Sequence, residues 1–208
     1  MIHCKEHVER RPHIDEMIHK LNVPVNIFDG IYIENNFPND ESIFDFLKKN
    51  DPLFRICNII NIKGAVGCYL SHHLLIKQIS NNLNTKYSVI FEDDIYLTET
   101  TDRHIKDIIF NIEKTNTDFD ICYLRNSTDN HGELITDNIY KVDKTTDCFQ
   151  TSALLINNKH IQKIYNSNLD AWGEIDSQYA RLANLNVLTI YPIEINVNYN
   201  LNSTIRPW

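Results

Sequence analysis

Apolar positions along the chain recur with two periods, and the switches between them divide it into strands and helices. Met1–Cys4 reads as a short strand. From Pro12 the period becomes helical: Ile14, Met17, Ile18 and Leu21 fall on one face, and Pro12 suits a first turn. Pro24 closes that pattern, and Val25–Phe28 reads as a second strand ended by an Asp29-Gly30 turn. A β-α-β opening favours a parallel sheet. Residues 31–63 are less regular, with Asp40 placed to cap a short helix carrying Ile43, Phe44 and Leu47. After Gly67, Tyr69, Leu70, Leu74, Leu75, Ile76 and Ile79 cover most faces of a helix, which predicts that it is largely buried. Tyr87, Val89, Ile90 and Phe91 form a β-branched and aromatic run suited to a strand buried on both faces.

The alternation continues to the end of the chain. Ile105, Ile108, Ile109 and Ile112 mark a one-faced helix, and Phe119–Leu124 a buried strand. Residues 125–138 are polar and turn-rich, as in a surface hairpin or a loop over a site. Strands follow at Ile139–Val142 and Thr151–Ile156, then a helix with Ile161, Ile164 and Tyr165 that Asn157 or Asn158 can cap. Residues 170–184 read as a loop leading into a short helix. Val187–Tyr191 reads as a last strand ended by Pro192, and Ile193–Trp208 is an Asn-rich tail with little pattern. There is no internal repeat and no linker. The expectation is one α/β domain over residues 1–208 with a mostly parallel central sheet.

Composition changes this picture only by exclusion. The 208 residues are 42% hydrophobic and 23% charged, ordinary for a globular protein. With a net charge of −8 and no basic run or basic helix face, nucleic acid is not expected as a partner. The five cysteines, Cys4, Cys57, Cys68, Cys122 and Cys148, are odd in number and contain no C-x-x-C, so neither a disulfide framework nor a zinc ribbon is expected. The start has no apolar signal region, and nothing approaches the ~20 apolar residues of a membrane span. A cytoplasmic protein without a transmembrane segment is the expectation. Sequons at Asn126 and Asn202 are of the kind an Asn-rich chain produces by chance.

The candidate chemistry centres on Glu92, Asp93 and Asp94, where the buried run ends in three adjacent carboxylates. Such charges repel and raise one another's pKa unless a cation sits among them. They also lie where open α/β sheets bind ligands, at the C-terminal end of a strand. Mg²⁺ or Mn²⁺ takes oxygen ligands of this kind and neutralises a departing pyrophosphate; the alternative is a solvated acidic turn or a helix cap. Arg10 and Arg11, before the first helix, suit phosphate oxygens or are plain surface charge. Ser71, His72 and His73 are odd inside an apolar helix, and a buried histidine satisfied by a core partner is the ordinary reading of His72. Glu174 and Asp176 offer either a general base or a cap for the helix they precede. Trp172 is either core or a platform for a sugar ring. His3, His7, His13 and His19 show no metal-ligand spacing on one face, and no G-x-S-x-G, P-loop or G-x-G-x-x-G occurs.

In this order the pieces resemble glycosyltransferase family 25, the family of bacterial lipooligosaccharide and procollagen galactosyltransferases. IHCKEHVERRPHIDEMIHKL resembles its opening strand, Arg-Arg loop and helix. KGAVGCYLSHHLLIKQI resembles its G-E-x-G-C-x-L-S-H segment, with Gly64, Gly67, Cys68, Leu70, Ser71 and His72 in place. VIFEDDI resembles its I-L-E-D-D hallmark, FDICYL its W-D-x-x-Y-L strand with Asp120, GEIDSQY its P-V-D-x-x-L segment, and TIYPIEI its closing Y-P strand. TSALLINNKHIQKI resembles the A-Y-x-I-S-x-x-G-A segment, with Asn158 or Lys159 in place of the glycine. Ala65 replaces the usual Glu. Asn196, Asn198 and Asn200 stand where such enzymes often place a further metal-binding His or Asp.

The resemblance implies a GT-A (Rossmann-like) fold, a UDP-sugar donor and Mn²⁺ (or Mg²⁺). It implies Asp94 as the leading metal ligand, with Glu92 and Asp93 positioning the metal or touching the nucleotide sugar. Arg10 or Arg11, with Ser71 and His72, would lie on the nucleotide-sugar side, and Asp176, with Glu174, on the acceptor side. Known members invert the anomeric centre, which calls for a base and an oxocarbenium-like transition state. The implied activity is transfer of galactose or glucose to a hydroxyl of a glycan or of a collagen-like hydroxylysine. A decayed nucleotide-binding module and a Mg²⁺-dependent phosphohydrolase are the alternatives.

Overall fold

The computed structural model describes residues 1–33, 40–56, 63–82, 84–125, 132–145, 150–191, 195–198 and 200–201. Cys57, Cys148, Pro192, both sequons and residues 126–131 of the polar segment lie outside them. Cys4, Cys68 and Cys122 are free.

The chain opens with β1 (Ile2–His3), a 3₁₀ turn over Val8–Arg10, and α1 (Arg11–His19) with Pro12 in its first turn. β2 (Phe28–Asp29) pairs with β1 in parallel, so the opening is β-α-β, but of the run Val25–Phe28 only Phe28 is strand, and β2 continues into Asp29, a residue expected in the turn. Then come α2 (Asp40–Asn50), β3 (Arg55–Ile56) and α3 (Lys63–Ser80). β4 (Tyr87–Phe91) leads through the three acids into β5 (Ile95–Tyr96), and α4 (Thr101–Lys114) follows. β6 (Ile121–Tyr123) precedes a hairpin of β7 (Glu133–Thr136) and β8 (Ile139–Lys141) that turns on Asp137, at φ 40°. After β9 (Ala153–Asn157), the Asn157 side chain accepts from the Lys159 N–H and opens a 3₁₀ turn into α5 (Ile161–Ser167). The remaining elements are β10 (Asp170–Ala171), α6 (Ile175–Arg181), β11 (Val187–Ile190) and β12 (Asn196–Val197). The tail is therefore not patternless: β12 pairs antiparallel with β5. Among the described residues no helix is long and apolar enough to cross a membrane.

The main sheet has the order β4-β9-β6-β11-β8-β7. Only β6 and β11 pair in parallel; the other four pairs are antiparallel, which corrects the expectation of a mostly parallel sheet. β4 and β6 do run the same way and are joined by the α4 crossover, but β9 inserts between them in the opposite direction. A strand buried on both faces has the same continuous apolar run in either direction, so its residues do not reveal the inversion. Outside the main sheet, parallel pairing survives where β1 pairs with β2, where β3 pairs with β10, and where Ile2 bridges to Glu92 just beyond β4.

Alternate residues of the sheet feed two cores. Ile90, Ile121, Tyr123, Leu154, Ile156 and Val187 meet Leu70, Ile76, Ile164 and Tyr179 from α3, α5 and α6. Phe91, Cys122, Ala153, Leu155, Leu188 and Ile190 meet Ile14 and Met17 of α1 and Ile105, Ile108 and Ile112 of α4. The result is a three-layer α/β/α sandwich, each fully buried aliphatic side chain contributing about 1.5–3 kcal/mol of transfer free energy.

α3 starts at Lys63, so Gly67 lies inside it rather than before it. A Cβ at Gly67 would sit 2.5 Å from the Ile31 carbonyl oxygen. One turn later Ser71 Oγ donates to the Gly67 carbonyl and accepts the Ile31 N–H, both at 2.7 Å. Gly67 and Ser71 thus dock the segment after β2 onto α3. At an open helical site Gly→Ala gains about 1 kcal/mol. Here the added methyl meets backbone that cannot rotate aside, and Gly67→Ala is expected to cost about 1–3 kcal/mol net in urea unfolding. Stability equal to wild type would show that the docked segment has room to shift.

Candidate functional site

The site forms where β4 leaves the sheet. The Glu92 N–H still donates to the Ser152 carbonyl at 2.8 Å, and Ile2 bridges from the other side, so the three acids start from a fixed backbone. Glu92 ends the extended run and Asp93 and Asp94 form a turn, so the three carboxylates meet three different environments.

Glu92 turns toward α3. Its Oε1 accepts from His72 Nε2 at 2.9 Å and from Thr151 Oγ1 at 2.7 Å, with Cys68 Sγ 3.8 Å away. Cys68 and His72 reach the same oxygen because residues four apart share a helix face. Burial pushes the Glu92 carboxyl up, but the His72 and Thr151 hydrogen bonds outweigh it and hold the group below the usual range. His72 is fully buried, and its Nδ1 has no partner among the described residues. Facing a carboxylate, Nε2 is the nitrogen that donates to Glu92.

Asp93 turns toward the N-terminal segment. Its Oδ2 lies 2.7 Å from His3 Nδ1, and its Oδ1 accepts a close hydrogen bond from Arg10 Nη1. All three side chains are buried. Arg10 therefore reaches the site through Asp93, as that carboxylate's counter-ion. Arg11 turns away to Asp15, one helical turn on and exposed.

Asp94 has neither kind of support. Its Oδ1 is buried without a partner among the described residues. Burial first, then the charges of Glu92 and Asp93, raise its pKa to about 7, with Arg10 opposing. Its main-chain carbonyl accepts the Asn198 N–H at 2.6 Å, so the asparagine tail is held directly beside the acids.

Asp176 arrives from the first turn of α6. Its Oδ2 accepts the Gln150 N–H at 3.0 Å and its Oδ1 the Ser177 N–H at 2.7 Å, while Tyr123 of β6 donates to its carbonyl at 2.6 Å. Burial raises its pKa against those two N–H groups, and the charges of Glu174 and Glu92 act in the same direction as burial. Asp176 thus shares an electrostatic environment with Glu92 and Cys68. Glu174 occupies the cap position of α6 without capping it through its side chain. Ser71, one turn from Cys68, has both its donor and its acceptor occupied by the Gly67–Ile31 contact.

The family resemblance puts His72 on the nucleotide-sugar side and Cys68 only within a family-like segment; their pairing on Glu92 is not expected from it. Cys68 and His72 are visible as C-x-x-x-H on a helix, a one-face spacing that a search for C-x-x-C passes over. His3, Thr151 and Gln150 gave no signal, because only folding brings them to Asp93, Glu92 and Asp176. Gln150 sits at φ 92°, strained for a non-glycine residue, and that conformation accompanies the N–H it gives to Asp176.

Residues 1–176 match the sequence profile of glycosyltransferase family 25 (LPS biosynthesis protein). The chain is similar to procollagen galactosyltransferase 1-A of Xenopus laevis, 25% identical over 126 residues that make up 60% of this chain and 20% of that protein. Procollagen galactosyltransferase 1-B of the same organism is 24% identical over 126 residues, with the same coverage. A protein of Haemophilus influenzae named "Putative glycosyltransferase" is 36% identical over 92 residues, 44% of this chain and 30% of that one. The chain thus spans less than a third of the length of the curated relatives it matches. The profile runs from β1 into the first turn of α6 and takes in every site residue from His3 to Asp176. On that match the chain belongs to glycosyltransferase family 25.

Proposed function

We propose that this chain transfers a hexose, galactose or glucose, from a UDP-sugar to a hydroxyl group, with inversion and with the help of a divalent metal. The observation that carries the reading is Asp94: a buried carboxylate oxygen without a partner among the described residues, flanked by two acids that already have theirs. That donor set fits a hard cation. Mn²⁺ or Mg²⁺ would be held by Asp94, with Glu92 beside it, and when bound would supply charge neutralisation for the departing diphosphate. Arg10 and His3 hold Asp93, which keeps the chain between Glu92 and Asp94 in register. The asparagine tail leaves the ligand set short of a further carboxylate, consistent with an ion completed by water and donor oxygens.

Asp176 is the candidate base. Burial and two neighbouring carboxylates raise its proton affinity, which suits a group that must take a proton from an alcohol. The acceptor oxygen forms a bond to the anomeric carbon as the bond from that carbon to the diphosphate oxygen breaks, and the acceptor proton passes to Asp176. The acceptor class, a glycan or a collagen-like hydroxylysine, is what the family resemblance implies; two of the relatives are named procollagen galactosyltransferases and the family is described by LPS biosynthesis.

The test is UDP release from a panel of UDP-sugars with and without Mn²⁺, because transferases slowly hydrolyse their donors without an acceptor. Metal-dependent release from one donor is expected, and it names the sugar. No turnover of any donor, with or without a range of acceptors and with UDP–Mn²⁺ binding retained, would identify a decayed module. Hydrolysis of simple phosphoesters without a sugar nucleotide would identify a phosphohydrolase.

A further inference from the structure

Cys68, His72 and Glu92 each point one ligand-type atom at a common space, with Sγ, an imidazole nitrogen and a carboxylate oxygen all within 4.8 Å of one another. A thiolate, an imidazole and a carboxylate are the donors that select zinc over magnesium or manganese. We propose that these three side chains form a site for a thiophilic divalent cation of the Zn²⁺ class, distinct in chemistry from the all-oxygen site at Asp94.

The distances suit a four-coordinate ion. With bonds of about 2.0 Å to nitrogen and oxygen and about 2.3 Å to sulfur, a tetrahedral centre places its ligand atoms roughly 3.3–3.6 Å apart. His72 Nε2 and Glu92 Oε1 are 2.9 Å apart, and Cys68 Sγ and Glu92 Oε1 3.8 Å. Binding would open the first pair and close the second by a few tenths of an ångström, and would draw together Sγ and the imidazole nitrogen, which start within 4.8 Å. Cys68 and His72 sit one turn apart on α3, whose Gly67 and Ser71 are clamped to the segment after β2, so two ligands stand on a rigid element. Three protein ligands leave one position for water or Thr151 Oγ1, which already lies 2.7 Å from Glu92 Oε1.

Proton accounting is simple. The cation takes the place of the His72–Glu92 hydrogen bond, His72 ligates through Nε2 with its ring proton on Nδ1, and the Cys68 thiol releases one proton to solvent. Because Glu92 serves both sites, a zinc-class ion would compete with Mn²⁺; that consequence rests on the proposed transferase reading, but the site itself does not.

Cobalt(II) reads the site directly. Titrating metal-free protein with Co²⁺ is expected to give one equivalent of binding, a thiolate-to-cobalt charge-transfer band in the near ultraviolet and the strong visible bands of four-coordinate cobalt, all abolished by excess Zn²⁺. Cys68→Ser should remove the charge-transfer band, and His72→Gln should weaken Co²⁺ binding at least about tenfold, with far-ultraviolet circular dichroism unchanged in both. Absence of the band in wild type would overturn the proposal. So would a band that survives Cys68→Ser, since it would come from another of the five cysteines. Neither readout involves a sugar donor, so failure here is separable from failure of the transferase reading.

Discussion

Asp94→Ala is expected to lower Mn²⁺-dependent donor turnover at least about a hundredfold and to leave the fold as stable as wild type or more so. Both halves follow from the same fact. A carboxylate whose Oδ1 is buried without a partner among the described residues and that is flanked by Glu92 and Asp93 gives little to folding, and its repulsion is relieved when it is removed. Groups kept at such a cost are candidates for function. Asp93→Ala is the contrast, because it strips Arg10 and His3 of their shared acceptor and should lower stability. The measurement is calorimetry of UDP with Mn²⁺ beside thermal unfolding. UDP affinity in the presence of Mn²⁺ equal to that of wild type would show that Asp94 is not the ligand. Asp176→Asn completes the comparison: it should keep UDP–Mn²⁺ affinity while slowing transfer to an acceptor by about 10²–10⁴-fold, the range of general base catalysis. A rate within a few-fold of wild type would assign Asp176 to holding Gln150 and Tyr123 in place instead.

The location of this site was legible in the sequence, and its division of labour was not. An apolar run that stops at three acids marks a strand leaving the core, and α1 and α4 follow directly from the one-face spacing of Ile14, Met17, Ile105, Ile108 and Ile112. Those signals are local. Which acid is satisfied by protein depends on His3, His72 and Thr151, residues that approach only after the sheet is assembled. His72 shows how the two readings of a residue merge, since it is a buried histidine whose Nε2 has a core partner, and that partner is a site carboxylate. Asp120 shows the opposite. It belongs to a family-like segment, yet it sits at the end of the sheet remote from Glu92, accepting from Lys163 Nζ at 2.5 Å and the Asn186 N–H at 2.6 Å. β9 was placed within two residues of its bounds, but its direction is set by pairing with β4 and β6, which no period encodes.

The largest loss of stability is expected away from the site, at Asp51→Ala, by about 3–5 kcal/mol. Asp51 closes α2 and is 1% exposed. Its carboxylate accepts from His73 Nε2 at 2.7 Å and from the Tyr165 hydroxyl at 2.9 Å, with Lys77 Nζ 3.4 Å away. These partners come from α3 and α5, and the rings pack as well, Phe54 4.5 Å and Tyr165 5.4 Å from the His73 ring by centroids. Alanine leaves two donors in the interior without an acceptor. The same cluster makes stability depend on pH. Burial lowers the pKa of His73, with Asp51 opposing. Burial pushes Asp51 up, but the hydrogen bonds from His73 and Tyr165 hold it below the usual carboxylate range. Both groups thus have folded values below their unfolded values of about 6.5 and 3.9, so the unfolded chain binds more protons as the pH falls. The stability His73 contributes is complete above about pH 6.5 and is lost as the pH drops toward its lowered value; Asp51's share is lost only below about pH 3.9. Urea unfolding at pH 7.5 and 5.5 should show wild type weakening in the first window, and His73→Gln, which keeps a neutral donor near Asp51, weakening less. An equal drop in His73→Gln would place the titration on another histidine and leave Asp51 with a neutral partner that never charges.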